Sequence, residues 1–132
     1  MFATQLLRFA VAFAFLAPRQ SAAQVPADLK QAMSARDLAV AKVDAATWDR
    51  LTTENFTVVT ANGTLLTKAQ RLAEFKSDTA VTPVPHQEET ITPFGNAFAR
   101  RFRAGEVWVL DIWVKDPKGW RVALVQVTTA KK

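Results

Sequence analysis

The spacing of apolar positions changes along the chain, and each change predicts a change of element. From Pro26 to about Val43, the residues Leu29, Ala32, Met33, Val40 and Val43 recur at helical intervals with polar residues between them, the pattern of an amphipathic helix. Pro26 suits a helix first turn, and Asp28 suits the positive end of its dipole. Arg36 and Asp37 interrupt the apolar stripe at its middle. They are expected either to be solvated or paired, or to close the mouth of a pocket. Asp44 reads as the N-cap of a short helix over Ala45–Leu51, from which Trp48 and Leu51 pack inward.

Strand patterns follow. Asn55–Ala61 has strand composition, and Asn62-Gly63 is the strongest short turn signal in the chain, leading into Thr64–Leu66. Thr67 and Gln70 form a capping box that opens a helix to about Lys76, with Leu72 and Phe75 on its buried face. Ser77–Pro85 reads as a loop and as the segment expected to move most. Beyond it, His86–Phe94 and Ala97–Arg103 are strands turned at Gly95-Asn96. Glu106–Thr128 then gives two β-rich runs around Asp-Pro-Lys-Gly and holds three of the four tryptophans, which places much of the core there. Helices at one end of the chain and antiparallel strands at the other predict an α+β layer fold. Its curved, cone-like antiparallel sheet would carry about three helices on the concave side and enclose a cavity.

An even-numbered turn would pair the last two strands so that Val107, Val109, Asp111 and Trp113 share a face with Trp120, Val122, Leu124 and Gln126. The opposite face would carry Trp108, Leu110, Ile112 and Val114 with Arg121, Ala123, Val125 and Val127, so both faces are apolar enough to be covered. A bulge would shift one strand and separate Asp111 from Gln126. Asp111 is a carboxylate in a run that reads as buried, so it should be hydrogen-bonded, ion-paired or in contact with a wet cavity. Gln126 would reach the same cavity. Arg100 lies between Phe98 and Phe102 on one strand face. Its plain role is a surface or cross-strand partner; its sharper role is to enter the pocket and hold Asp111 or an anionic ligand. Trp113 and Trp120 read first as core, with a ligand platform as the rival role.

The N-terminus has the parts of a secretory signal peptide. Met1–Arg8 is a basic start, Phe9–Ala17 an apolar stretch, and Ser21-Ala22-Ala23 a small-residue cleavage site, giving residues 1–23 as the signal and 24–132 as a single domain. Nine apolar residues fall short of the ~20 that span a bilayer. The mature chain is therefore expected to be exported, periplasmic or secreted, with no membrane attachment. Without cysteine it has no disulfide, thiolate metal site or Cys nucleophile. The formal charge is +5, and cleavage would remove Arg8 and Arg19, so the remaining excess is mild and gives no reason to expect nucleic acid. No phosphate loop, nucleophile elbow or zinc spacing is present, so no cofactor and no metal is expected.

Three passages carry a family likeness: Asp44–Leu51 leading into Asn55–Val59, Asn62–Ala69, and Asp111–Lys115 with Gly119–Gln126. Together with the element order they resemble the nuclear transport factor 2-like, or SnoaL-like, superfamily, in particular its exported branch of unknown function. The resemblance implies a cone with a pocket between helices and sheet, a homodimer, and pocket-facing positions at Asp111, Trp113 and Gln126. Trp48 and Arg100 complete the expected ligand-binding set. The superfamily hosts several reactions on one fold, so the fold does not supply the function. Its ketosteroid isomerase pattern needs a tyrosine, which this chain lacks; its hydratase pattern needs an Asp–His pair, for which His86 is the sole histidine. Two readings follow: a binding module for a small apolar or weakly polar ligand, or a lyase or isomerase using Asp111 with His86 as acid and base.

Overall fold

The computed structural model describes residues 24–132, so the signal-peptide reading of residues 1–23 lies outside the described residues. Helix α1 runs over Ala27–Lys42, with Pro26 as its N-cap and Leu29, Met33, Arg36 and Ala39 on its buried side. It stops at Val43, whose left-handed backbone (φ 58) lets the Val43 and Asp44 amides return to carbonyls of the last turn. Asp44 then caps α2 (Ala45–Arg50) by accepting the Thr47 amide and hydroxyl at 3.1 and 2.7 Å. Strands β1 (Thr52–Val59) and β2 (Leu65–Thr67) flank the Asn62-Gly63 turn, where Gly63 takes φ 85. Helix α3 (Lys68–Phe75) opens with the full capping box: Thr67 Oγ1 accepts the Gln70 amide, and Gln70 Oε1 accepts the Thr67 amide.

Strands β3 (Gln87–Phe94), β4 (Ala97–Ala104), β5 (Val107–Asp116) and β6 (Gly119–Thr129) form an antiparallel meander. The α+β class and the element order match the sequence pattern. The six-stranded, unclosed curved sheet has the order β2-β1-β6-β5-β4-β3 and is mixed, because β1 lies parallel to β6. Only the meander and the β1–β2 ribbon are antiparallel, since β1 reaches β6 through a helix and four strands and not through a hairpin.

The register of the closing hairpin has one departure. Near the turn, Trp113 pairs with Val122 and Val114 with Arg121, the expected even-turn register. Ala123 is then an extra residue, and from Ile112–Leu124 onward the pairing is shifted by one. Val125 and Val127 therefore join Val109, Asp111 and Trp113 on the inner face, while Leu124 and Gln126 turn outward. The core sits between this inner face and the helices, with Leu29, Trp48, Phe75, Trp113 and Val122 almost wholly enclosed. Each such side chain contributes roughly 1.5–3 kcal/mol of hydrophobic stabilisation. Only one face of the hairpin is covered by the described residues. On the other, Leu110 and Leu124 are exposed and Trp108, Ile112 and Val114 are partly so.

The capping box should be the separable anchor of α3. Thr67→Ala is expected to lower stability by about 1 kcal/mol, read as a shift of the urea midpoint at unchanged m-value.

Candidate functional site

The concave side of the sheet and the helices enclose a cavity of about 900 Å³. β1 gives it Phe56 and Val58, β5 gives Val109 and Asp111, and β6 gives Val125 and Val127. Arg36, Asp37 and Val40 enter from α1, Trp48 from α2, and Val81–Val84 of the long loop form part of the rim. The rim is tied to α1 by the Val81 amide, which donates to the Ala41 carbonyl at 2.8 Å. The bulge at Ala123 makes this wall apolar, because it swings two valines inward where the unshifted register would have placed Gln126.

The polar floor is built around Arg100. Arg100 and Asp111 are directly opposed across β4 and β5, so the sheet register itself brings them together. Arg100 Nη2 donates to Asp111 Oδ2 at 2.6 Å, and Nε lies 3.1 Å from Oδ1. Its outer edge meets Asp37 from α1, with Nη1 and Nη2 donating at 2.8 and 2.9 Å. Trp113 Nε1 donates to Asp111 Oδ1 at 2.9 Å. Burial works to lower the Arg100 pKa, but its hydrogen bonds to Asp37 and Asp111 outweigh burial and hold it above the ordinary arginine value. Asp111 and Arg100 are 1% and 2% exposed, so the pair is effectively removed from water.

Two expected ligand-facing residues stand elsewhere. Gln126 is exposed on the outer face, opposite Leu110, because of the one-residue shift at Ala123. Trp113 is fully enclosed and lies outside the cavity lining; its indole braces Asp111. Trp48, Arg100, Asp111 and His86 do line the cavity. His86 stacks on Phe102 with ring centroids 3.7 Å apart, and its Nδ1 is 3.7 Å from Asp37 and 3.5 Å from Glu89. Its carboxylate neighbours are thus Asp37 and Glu89, and Asp37 and Arg100 stand between it and Asp111. Among the described residues, no group of three or more His, Asp and Glu residues is placed to hold a metal ion.

Sequence reasoning allowed Arg36 a place at the mouth of a pocket but left it out of the ligand-binding set. It is 6% exposed, lines the cavity, and among the described residues makes no hydrogen bond or ion pair. Its guanidinium carbon lies 5.6 Å from the Trp48 ring centroid and 5.8 Å from that of Phe56. Burial lowers its pKa to about 10; Arg100 and Arg71 push the same way, and Asp111 and Asp37 oppose them. A buried donor left unmatched costs about 1–3 kcal/mol. The available signal was its place on the buried stripe, three residues after Met33 and seven after Leu29.

No protein-family model matches the sequence, and no curated protein matches it either. Solved structures do. The chain is similar to a nuclear transport factor 2-like protein from Cytophaga hutchinsonii, with a TM-score of 0.68 and 15% identity over 76% of this chain and 94% of that one. A Pectobacterium atrosepticum protein of unknown function, from the DUF3225 family, gives 0.66 and 22% over 80% and 90%. A candidate dehydratase of the nuclear transport factor 2-like family from Streptomyces avermitilis gives 0.69 and 12% over 80% and 95%. At such identities the likeness defines the fold alone. The protein has the nuclear transport factor 2-like fold, an α+β cone with its cavity between helices and sheet.

Removing one member of the buried pair should strand the other. Arg100→Met is expected to destabilise the protein by about 3–5 kcal/mol, and adding Asp111→Leu should recover most of that loss. Chemical denaturation of the single and double variants checks this; a single-variant loss under about 1 kcal/mol would remove the pair from its structural role.

Proposed function

We propose that this protein is an exported binding module that holds a small, mainly apolar ligand in its cone cavity without transforming it. The observation that carries the reading is the state of Asp111. Both its oxygens accept from Arg100, and one also accepts from Trp113. A general base needs a free lone pair and a partner that exchanges protons, and a guanidinium does not deprotonate in proteins. The lyase or isomerase reading asks Asp111 and His86 to act together, whereas His86 is placed beside Asp37 and Glu89. A cavity of about 900 Å³ whose exposed lining is mainly apolar suits a binding role.

Dimerisation belongs to the same proposal. A second copy of the chain is the occupant suggested for the outer face of β5 and β6, where Leu110 and Leu124 stand exposed beside Trp108, Ile112 and Val114.

Native mass spectrometry of the protein from its host's exported fraction tests these points together. The expected species begins at Gln24, has twice the chain mass and retains a small molecule. Val127→Trp, which fills the cavity from β6, should lose that molecule while keeping the fold. An empty wild-type protein that also shows no thermal shift with aliphatic or aromatic compounds would overturn the binding reading.

A further inference from the structure

We propose that Arg36 is the anion receptor of the cavity and that the ligand is a carboxylic acid with an apolar body. This rests on the binding-module reading and sharpens it to a chemical class.

The case begins with two buried guanidinium groups that the fold treats differently. Arg100 has all three of its nitrogens engaged by Asp37 and Asp111. Arg36, the residue before Asp37 on α1, has none engaged among the described residues, and its Nε is completely enclosed. Asp37 and Asp111 both lie against Arg100, and Arg71, which also lines the cavity, is paired with Glu74 and Asp78, so among the described residues Arg36 is the lining arginine left without a carboxylate. Asp37 presents one oxygen to each Arg100 Nη, and Asp111 is further committed to Trp113.

The aromatic contacts explain how an unpaired guanidinium is held. Trp48 and Phe56 lie 5.6 and 5.8 Å from it, within the range in which an aromatic ring attracts a cation. Neither ring takes a hydrogen bond from its nitrogens, and with Nε enclosed the edge left for a guest is the one that carries the two Nη groups. That edge matches a carboxylate, which accepts two parallel hydrogen bonds from such a fork. The wall beyond it, Val58, Val109, Val125 and Val127, is hydrocarbon. A multiply charged anion would find no second free arginine among the described lining residues, since Arg71 and Arg100 are already paired, whereas the body of an aliphatic or aromatic acid would find apolar contact. The guest is therefore a monoanion with its acid head on α1 and its body against β5 and β6.

Octanoate and 1-octanol, which share a chain and differ in the head, separate the receptor from the cavity. Binding to the mature protein is measured by tryptophan fluorescence and isothermal titration at neutral pH. Wild type should prefer octanoate by roughly tenfold or more, the scale of a charge-assisted hydrogen bond in a buried site. Arg36→Met should erase the preference and keep octanol binding. Equal affinities in wild type, or a preference that survives Arg36→Met, would overturn the receptor role. Octanol binding without a preference removes only that role and leaves the binding module standing; binding of neither compound removes both. The wild-type comparison stands even if Arg36→Met does not fold. In that case Arg36→Lys, which keeps the charge but not the fork, should weaken octanoate selectively, and an unchanged preference would count against the paired carboxylate.

Discussion

One buried guanidinium with a carboxylate on each side joins the two layers of this protein. Arg100 is fixed to Asp111 by strand register and to Asp37 by a side chain from the helix above. The first contact is made within the sheet; the second is what sets α1 over the sheet at that point. A buried charge is costly unless its hydrogen bonds are made, and here the donors of Arg100 meet carboxylate oxygens on both edges. An apolar trio of similar volume would serve stability as well or better, so the gain of such an arrangement is positional. It fixes where the helix crosses the strands, and so the height of the cavity beneath it.

Much of the fold was legible because each element carries a local signal with one reading. The Asn62-Gly63 turn, the Thr67–Gln70 capping box and the Asp44 cap all appear as their chemistry requires. The polar interior was only half legible. A carboxylate at Asp111 demands a partner, and alternation along β4 offered Arg100. The bulge at Ala123 has no comparable marker: alanine is an ordinary strand residue, and β6 pairs irregularly with both of its neighbours, β5 and β1. That one residue decides which half of the strand faces the cavity, so Gln126 was placed on the wrong side of the sheet. His86 is a similar case, since its neighbours Asp37 and Phe102 are distant in sequence.

Arg36 and Asp37 show why adjacent charges in a helix cannot be read as a pair. About 100° of helical rotation separates them. Asp37 turns toward Arg100, while Arg36 follows Leu29 and Met33 into the interior. The same stripe thus contributes a core residue at each end of its first turns and a cation at the next, and the aromatic pair Trp48 and Phe56 receives it. Polar groups reach the cavity from α1 and β4–β5 and, on the α3 side, from Arg71, Glu74 and Asp78, while Val58, Val109, Val125 and Val127 supply its apolar wall.

The parallel pairing of β1 with β6 also sets the order in which the molecule can be completed. β1 leaves α2 early in the chain, yet one of its two neighbours is the last strand, so its backbone groups on that side stay unmatched until β6 arrives. During synthesis the helices and the β1–β2 ribbon emerge first with no sheet to cover. The cavity closes only when the far end of the chain returns to the middle of the sheet. A chain of this topology can complete its sheet, and with it the cavity wall, only after its last strand has been made.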